Sequence, residues 1–499
     1  MPERRYIPCD REQQFLLPPS MLDWLEEDHL CWFVIDAVKA LDTGSFLDAH
    51  PSVGAGRPGY DPDMMLTLML YAYANGMRSS RAIEAACRTD LAFKVICANL
   101  VPDHTTIAAF RAENEEAIKK MFVEVLKLCA AAGLACLGVI AIDGTKLGSD
   151  AALDRNRSSE WIRAEIDKIV CEASAADDSD DGDPQLFDTA ALPQGLRRRQ
   201  GRLGRLKAAL AEAQAQETAA AVQAAQRAEK AMAEAEAGRK LRGRKPKDPH
   251  AAAARAEADL AAARRKAEAD PCRPGVEEDI RMLEARLAEA QKTAAAAPPA
   301  AVEVNLTDPD SRIMKTKDGW VQGFNVQGAV NQNQVVISYD VTQDHNDVGQ
   351  FTPMVEATKA NAAAAGIEEE IGLVLSDAGY WSEDNATWEG PDRLIATTKD
   401  WKQRKAARDA GGTSGPPPQD ATPLEAMEHR LRTEQGAKSY ATRSYTVEPV
   451  FGNIKDNRGF RRFMRRGLAA ANSEAALIFA SHNLMKIFTH QSAMIPAIA

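Results

Sequence analysis

From Arg197 to Ala297 the chain is dominated by alanine, glutamate, arginine, lysine and leucine, with few aromatic residues. These are strong helix formers, and a stretch this poor in β-branched and aromatic side chains cannot supply a sheet. Strand-like sequence stands on both sides of it. Leu137-Gly138-Val139-Ile140-Ala141-Ile142-Asp143 is a short apolar run that reads as a buried strand, and the strand signal then stops for about 150 residues. Any α/β domain in this chain is therefore discontinuous. The block reads as two or three long helices, a helical hairpin or coiled coil, inserted as a unit.

Upstream, the pattern is helical. Asp61-Pro62-Asp63 opens an apolar stretch closed by Gly76, Ser79-Ser80-Arg81 opens a second, and Asp103-His104-Thr105-Thr106 opens a third that runs to Gly133. His104 reads as a helix-start residue. One pair of these helices has the makings of a helix-turn-helix. Downstream of Pro298-Pro299, the runs Gly319–Gln327 and Gln334–Asp340 alternate as a hairpin. A helix over 349–365, strands over 371–376 and 393–397, a flexible excursion over 401–430, and helices from about Thr446 and Ser473 follow. The expected organisation is an N-terminal helical DNA-binding domain at 1–134, an α/β domain at 135–150 and 300–490, and a helical insertion at 151–299.

Composition enters through charge. The total of 61 basic and 72 acidic residues, net −11, argues against a nucleic-acid partner only until it is divided. Residues 150–196 hold 12 acids and 4 bases, 197–247 hold 14 bases and 5 acids, 301–400 hold 17 acids and 6 bases, and 401–499 hold 15 bases and 8 acids. Such asymmetry points to a polyanion partner or to solvated faces. The eight cysteines form no C-x-x-C pair, so no zinc ribbon is written here, and dispersed thiols suit a reducing compartment. The longest apolar run, Leu128 to Ile142, is 15 residues, too short to span a bilayer, and MPERRYIPCD carries no apolar signal region. A soluble, cytoplasmic protein with no membrane partner is expected.

Asp143 and Asp377 each end an expected strand, and Glu448 lies on a late helical segment. Ligands of open α/β sheets gather at the carboxyl ends of strands. Singly, each acid reads as a cap or turn residue. Together they are the hard-oxygen set that holds two Mg²⁺ or Mn²⁺ ions about 3.5–4 Å apart for phosphoryl transfer. Lys455 stands two helical turns beyond Glu448, and Arg443 precedes it, a fork suited to phosphate. Residues 430–466 contain ten bases and three acids, with Arg458, Arg461, Arg462, Arg465 and Arg466 closely spaced. This reads as a phosphate-tracking stripe around a carboxylate. Arg242-Gly243-Arg244 reads either as a plain basic loop or as a minor-groove hook. Asp308, Asp310 and Arg312 read first as cap or loop residues and second as groups that support the metal-binding acids from behind.

These motifs resemble a DDE-type insertion-sequence transposase of the prokaryotic superfamily with a Y-x2-R-x3-E-x6-K signature. Gly56-Arg57-Pro58, Tyr60-Asp61-Pro62, Tyr71, Tyr73, Pro102 to Thr106 and Phe110-Arg111 are similar to its N-terminal helical domain. Asp143-Gly144-Thr145-Lys146, Thr307 to Arg312 with Gly323 to Gln327, and Ser376 to Tyr380 are similar to its aspartate blocks. Tyr440, Arg443, Glu448 and Lys455 match the signature with one departure: four residues, not three, separate Arg443 from Glu448.

The resemblance implies an RNase H-like mixed-sheet core, with Asp143, Asp377 and Glu448 as catalytic metal ligands and Asp143 shared by both ions. Tyr440, Arg443, Lys455, Arg458, Arg461 and Arg462, together with Arg242 and Arg244, would contact DNA. It implies cleavage at element ends and joining of the 3′-hydroxyl to target DNA, in a nucleoid-associated homodimer. A dimerising role for the insert is favoured over a DNA clamp. The alternatives are an inactive DNA-binding or oligomerising scaffold, and a metal-dependent nuclease without strand transfer.

Overall fold

The strand that begins at Val139 is the one around which the sheet is ordered. The computed structural model describes residues 20–47, 59–177, 194–236, 249–269, 275–296, 302–398 and 412–494. Among these the strands are Val139–Gly148 (β1), Asn156–Ser158 (β2), Glu303–Asn305 (β3), Arg312–Thr316 (β4), Gly319–Asn331 (β5), Val336–Thr342 (β6), Leu373–Ser376 (β7) and Asp392–Ile395 (β8). β1 pairs antiparallel with β5, from Ile140↔Asn331 to Gly148↔Gly323, and parallel with β7, from Val139↔Leu373 to Ile142↔Ser376. β8 lies parallel beside β7, while β6 and β4 pair antiparallel with β5.

By its contacts the chain divides into two units, Met1–Ala151 with Ser311–Ala499, and Ala152–Asp310. In the first, the N-terminal helices share one core with the sheet. The long helix Leu468–Met494 joins them, packing against the helices Pro62–Ala74 and Glu115–Ala131 and against β6. Asp61 and Asp103 cap their helices as the sequence predicts, each accepting from backbone amides one turn in. Gly76 closes the first helix at φ +73°, and a Cβ there would lie 2.9 Å from the carbonyl oxygen of Arg458. That close approach brings the 458–466 segment against the helical region.

The second unit holds the helices Ser159–Asp177, Gln194–Glu236, Pro249–Ala269 and Val276–Ala296, with the two-stranded ribbon β2–β3. Its small core gathers Ile162, Leu206, Ala209, Ala213 and Val304.

Several expectations are corrected. β1 does not end on Asp143 but runs five residues further, because every residue from Asp143 to Gly148 has an antiparallel partner on β5. Arg312 opens a strand, β4, rather than a loop, and that strand turns back into β5 at Gly319, φ +124°. The helix expected from 103 to 133 breaks at Asn114 into His104–Glu113 and Glu115–Ala131. Part of the 401–430 excursion is the helix Pro423–Arg432, opened by a Thr422/Glu425 capping box. The last helix starts at Leu468, and short helices replace a continuous one from Thr446.

Candidate active site

Ile142↔Ser376 is the last pair of the parallel β1–β7 ladder. The next residue on each strand is an aspartate, so Asp143 and Asp377 leave neighbouring strands side by side. β7 stops there, and Asp377 Oδ1 accepts the Gly379 N–H at 2.7 Å in the turn that follows. The Asp143 carboxyl is pushed up to about 6: burial is the main cause, Asp377 and Asp347 add to it, and Arg443 opposes it.

Arg443 joins this pair to the third expected acid. Its Nη2 lies 2.8 Å from Asp143 Oδ2, and its Nη1 lies 3.1 Å from Glu448 Oε1. The Arg443 side chain is 11% exposed, while that of Glu448 is 56% exposed. Five positions apart, the two would diverge on a regular helix. They meet across Val447, the residue between the helices Arg443–Thr446 and Glu448–Gly452, whose backbone stays in the right-handed helical region. Burial works against the Arg443 charge and the surrounding acids, Asp143 foremost, outweigh it, so its pKa is raised. The Tyr440 hydroxyl donates to the Ser376 carbonyl at 3.3 Å and so braces the strand end that carries Asp377.

Lys455 does not sit two α-turns beyond Glu448, because Asn453–Asn457 is a π-helical turn. Burial, with Arg461 adding to it, lowers its pKa, while Asp143 opposes the shift. Among the described residues, no three His, Cys, Asp or Glu side chains stand together as a metal-holding group. The guanidinium of Arg443 is bonded to both Asp143 and Glu448, two of the three acids expected to form one.

A fourth acid was not singled out from the sequence. Asp347 Oδ1 accepts from Asn325 Nδ2 at 2.8 Å, Gln327 Nε2 at 2.9 Å and Lys146 Nζ at 3.2 Å. Gly144 pairs with Gln327 and Lys146 with Asn325 across β1 and β5, so strand alternation places this cluster on the face opposite Asp143. A Cβ on Gly144 would meet Gln327 Nε2 at 2.5 Å and Asp347 Oδ1 at 2.7 Å. Tyr380 donates its hydroxyl to Gln327 Oε1, and burial, followed by the Asp143, Asp347 and Asp377 charges, drives its pKa well up. The available signal was the alternation of Asn325 and Gln327 on a strand beside β1, where two amides on one buried face need a polar partner.

The arginine stripe divides. Arg458 turns inward, donating to the Ser481 hydroxyl at 3.1 Å and its carbonyl at 3.3 Å. Arg465 is held by Glu115, with its side chain 16% exposed. Arg461, Arg462 and Arg466 project outward, paired with Asp456 or Asp150. Their backbone is fixed: Phe463 N–H donates to the Gly148 carbonyl at 2.7 Å, Glu474 accepts the Met464 and Arg465 amides, and Arg78 bonds the carbonyls of Gly459 and Arg462. Arg111 is buried and bonded to Tyr73, Ser80 and the Arg78 carbonyl, which gives those N-terminal motif residues a shared structural role. His104 begins its helix and pairs with Glu84 at 2.7 Å. Asp308 is buried, in the turn after β3, where its N–H donates to Asn305 Oδ1. Arg242, Arg244 and Gly56-Arg57-Pro58 lie outside the described residues.

Two family models match this chain. A transposase domain (DUF772) matches residues 19–113, and a transposase DDE domain matches residues 418–488, the segment that contains Tyr440, Arg443, Glu448 and Lys455. Together they support a DDE-type insertion-sequence transposase, with a nuclease or transposase activity and, by family, a DNA substrate and a divalent metal. No curated protein and no solved structure matches the chain. Among the described residues, no helix is long and apolar enough to cross a membrane.

Proposed function

We propose that this protein binds the ends of its insertion sequence, cleaves them, and joins the freed 3′-hydroxyl ends to target DNA from an RNase H-like core. The carrying observation is the emergence of Asp143 and Asp377 side by side from the β1–β7 pair, with Glu448 linked to Asp143 through Arg443. The sheet supports the core assignment: three antiparallel strands, β6-β5-β1, continue into two parallel ones, β7-β8.

The donor chemistry suits Mg²⁺ or Mn²⁺, since all three acids offer hard oxygens and two of them already share one cationic group. Two divalent ions bound there supply charge stabilisation to the attacking and leaving oxygens of an in-line displacement. The chain's own residues do the rest. Tyr440 fixes the strand end under Asp377, Lys455 offers a positive charge that Asp143 favours, and Arg461 and Arg462 stand on an anchored segment suited to the DNA backbone.

The helical insertion is proposed as the arm that pairs two copies. Its long helix leaves Val222 52% exposed among exposed alanines, which is a poor end state for a helix in water. Deleting 197–297 should then leave a monomer in solution, and a dimer that survives the deletion would overturn this role.

The test is cleavage of element-end DNA in Mg²⁺ by wild type, Asp143→Asn and Glu448→Gln. Cutting by either variant at the wild-type rate would overturn the assignment. Joined products from a pre-cut end distinguish a transposase from a nuclease that only hydrolyses.

A further inference from the structure

Arg443 is bonded as a counter-ion rather than as a free phosphate ligand. Its two terminal nitrogens reach Asp143 and Glu448 at 2.8 Å and 3.1 Å, and its side chain is 11% exposed. The Glu448 contact is not one of the ordinary helical pairs three or four residues apart, since the two residues stand five apart on either side of Val447. A positive charge shared by two carboxylates does the electrostatic work of a bound cation, and a cation entering between them must displace it. The arrangement also leaves a donor unused: Arg443 Nε is buried and makes no hydrogen bond. A guanidinium bonded in parallel through Nε and Nη would be satisfied by a doubly accepting anion such as a phosphodiester. Lys455, on the π-helical turn, carries a charge that Asp143 favours and offers the same anion a second positive charge.

We propose that Arg443 is an exchangeable counter-cation. In the DNA-free protein it bridges Asp143 and Glu448 and keeps divalent metal out, and a substrate phosphate draws it away, so that tight metal binding waits for DNA. This rests on the proposed function. It adds that one positioning residue serves the acids and the phosphate in turn, making metal and DNA mutually supporting ligands.

The experiment measures Mn²⁺ binding to the full-length, DNA-free protein at pH 8 by calorimetry, beside the affinity for a fluorescent duplex by anisotropy. Arg443→Gln should bind Mn²⁺ about tenfold more tightly than wild type, since a charge in contact with the acids is gone, and should bind DNA less tightly. Arg443→Lys keeps the charge but not the fork, and should show a smaller gain in Mn²⁺ affinity; it also serves if the glutamine variant folds poorly. Adding Asp143→Asn to Arg443→Gln should abolish the gain. If Arg443 only holds the fold together, its removal leaves Mn²⁺ affinity unchanged or weaker, and the proposal is overturned. A gain that survives Asp143→Asn also overturns it, because the metal then sits elsewhere. Failure of wild type to cut DNA in Mg²⁺ or Mn²⁺ counts against the proposed function, and the titration reads out separately from it.

Discussion

The sheet unit and the helical unit of this chain are specified by different kinds of side chain. The first fully buries Tyr73, Phe122, Phe324, Phe351, Tyr380, Phe460 and Phe463, while the second closes its core with Ile162, Leu206, Ala209, Ala213 and Val304. Large side chains of distinct shape fit together in few ways, so they fix positions. Alanine seams bring helices close but discriminate weakly between registers. The difference explains where a chemical site can be built. Asp143 and Asp377 leave neighbouring strands of one ladder side by side, whereas helical-unit acids such as Glu165, Glu217 and Asp259 are each engaged by basic side chains of their own unit.

Glycines sharpen the contrast. Gly144 on β1 has no room for a methyl group, while Gly201 and Gly204 on the helix Gln194–Glu236 face open space.

The largest expected effect lies at the acids. Asp143→Asn or Glu448→Gln should lower DNA cleavage by about three orders of magnitude, measured as initial rates on labelled end DNA. Equal losses from changing acids of the helical unit, such as Glu212 or Glu217, would break the comparison. Next is Gly144→Ala, whose added carbon collides with Gln327 and Asp347. It should cost about 1–3 kcal/mol in urea unfolding.

A smaller effect has the opposite sign. Burial pushes the Asp143 carboxyl up from 3.8 to about 6, so in that interval the folded protein holds a proton that the unfolded chain releases. Stability contributed by this group therefore falls as pH rises from about 4 to 6. The Asp143→Asn protein, though inactive, should melt about 2–4 °C above wild type at pH 8, with the gap closing near pH 4 in scanning calorimetry. The smallest effect is in the helical unit: Gly204→Ala should stabilise it by about 0.5–1 kcal/mol, since a helical glycine gains from a Cβ where space is open. Destabilisation there would show that its surface is packed against something in solution.

Much of the fold was legible because its signals are local. Asp61 and Asp103 announce helix starts, and the apolar runs before Asp143 and Asp377 announce strands. The misread elements depended on partners distant in sequence. Nothing in Gly144-Thr145-Lys146-Leu147-Gly148 compels a strand until β5 lies beside it. Asn114 ends a helix that periodicity alone would continue. Of the site, the three acids and Arg443 could be chosen by residue type and spacing; Asn325 and Gln327 announce only that some polar partner is needed, and that it is Asp347, in the loop after β6, depends on Lys146, Asn325 and Gln327 converging on it from two strands.

The sequence by itself determined that an α/β domain is interrupted by an alanine-rich helical block, that an aspartate follows each of two short apolar runs, and that positive charge gathers between 430 and 466. Only the tertiary structure decided that Arg443 binds Asp143 and Glu448, and that Arg458 and Arg465 turn inward while Arg461, Arg462 and Arg466 face out. Periodicity assigns a side chain to a face, but its partner at hydrogen-bond distance is set by how far-separated segments pack, and that information is spread over the whole chain.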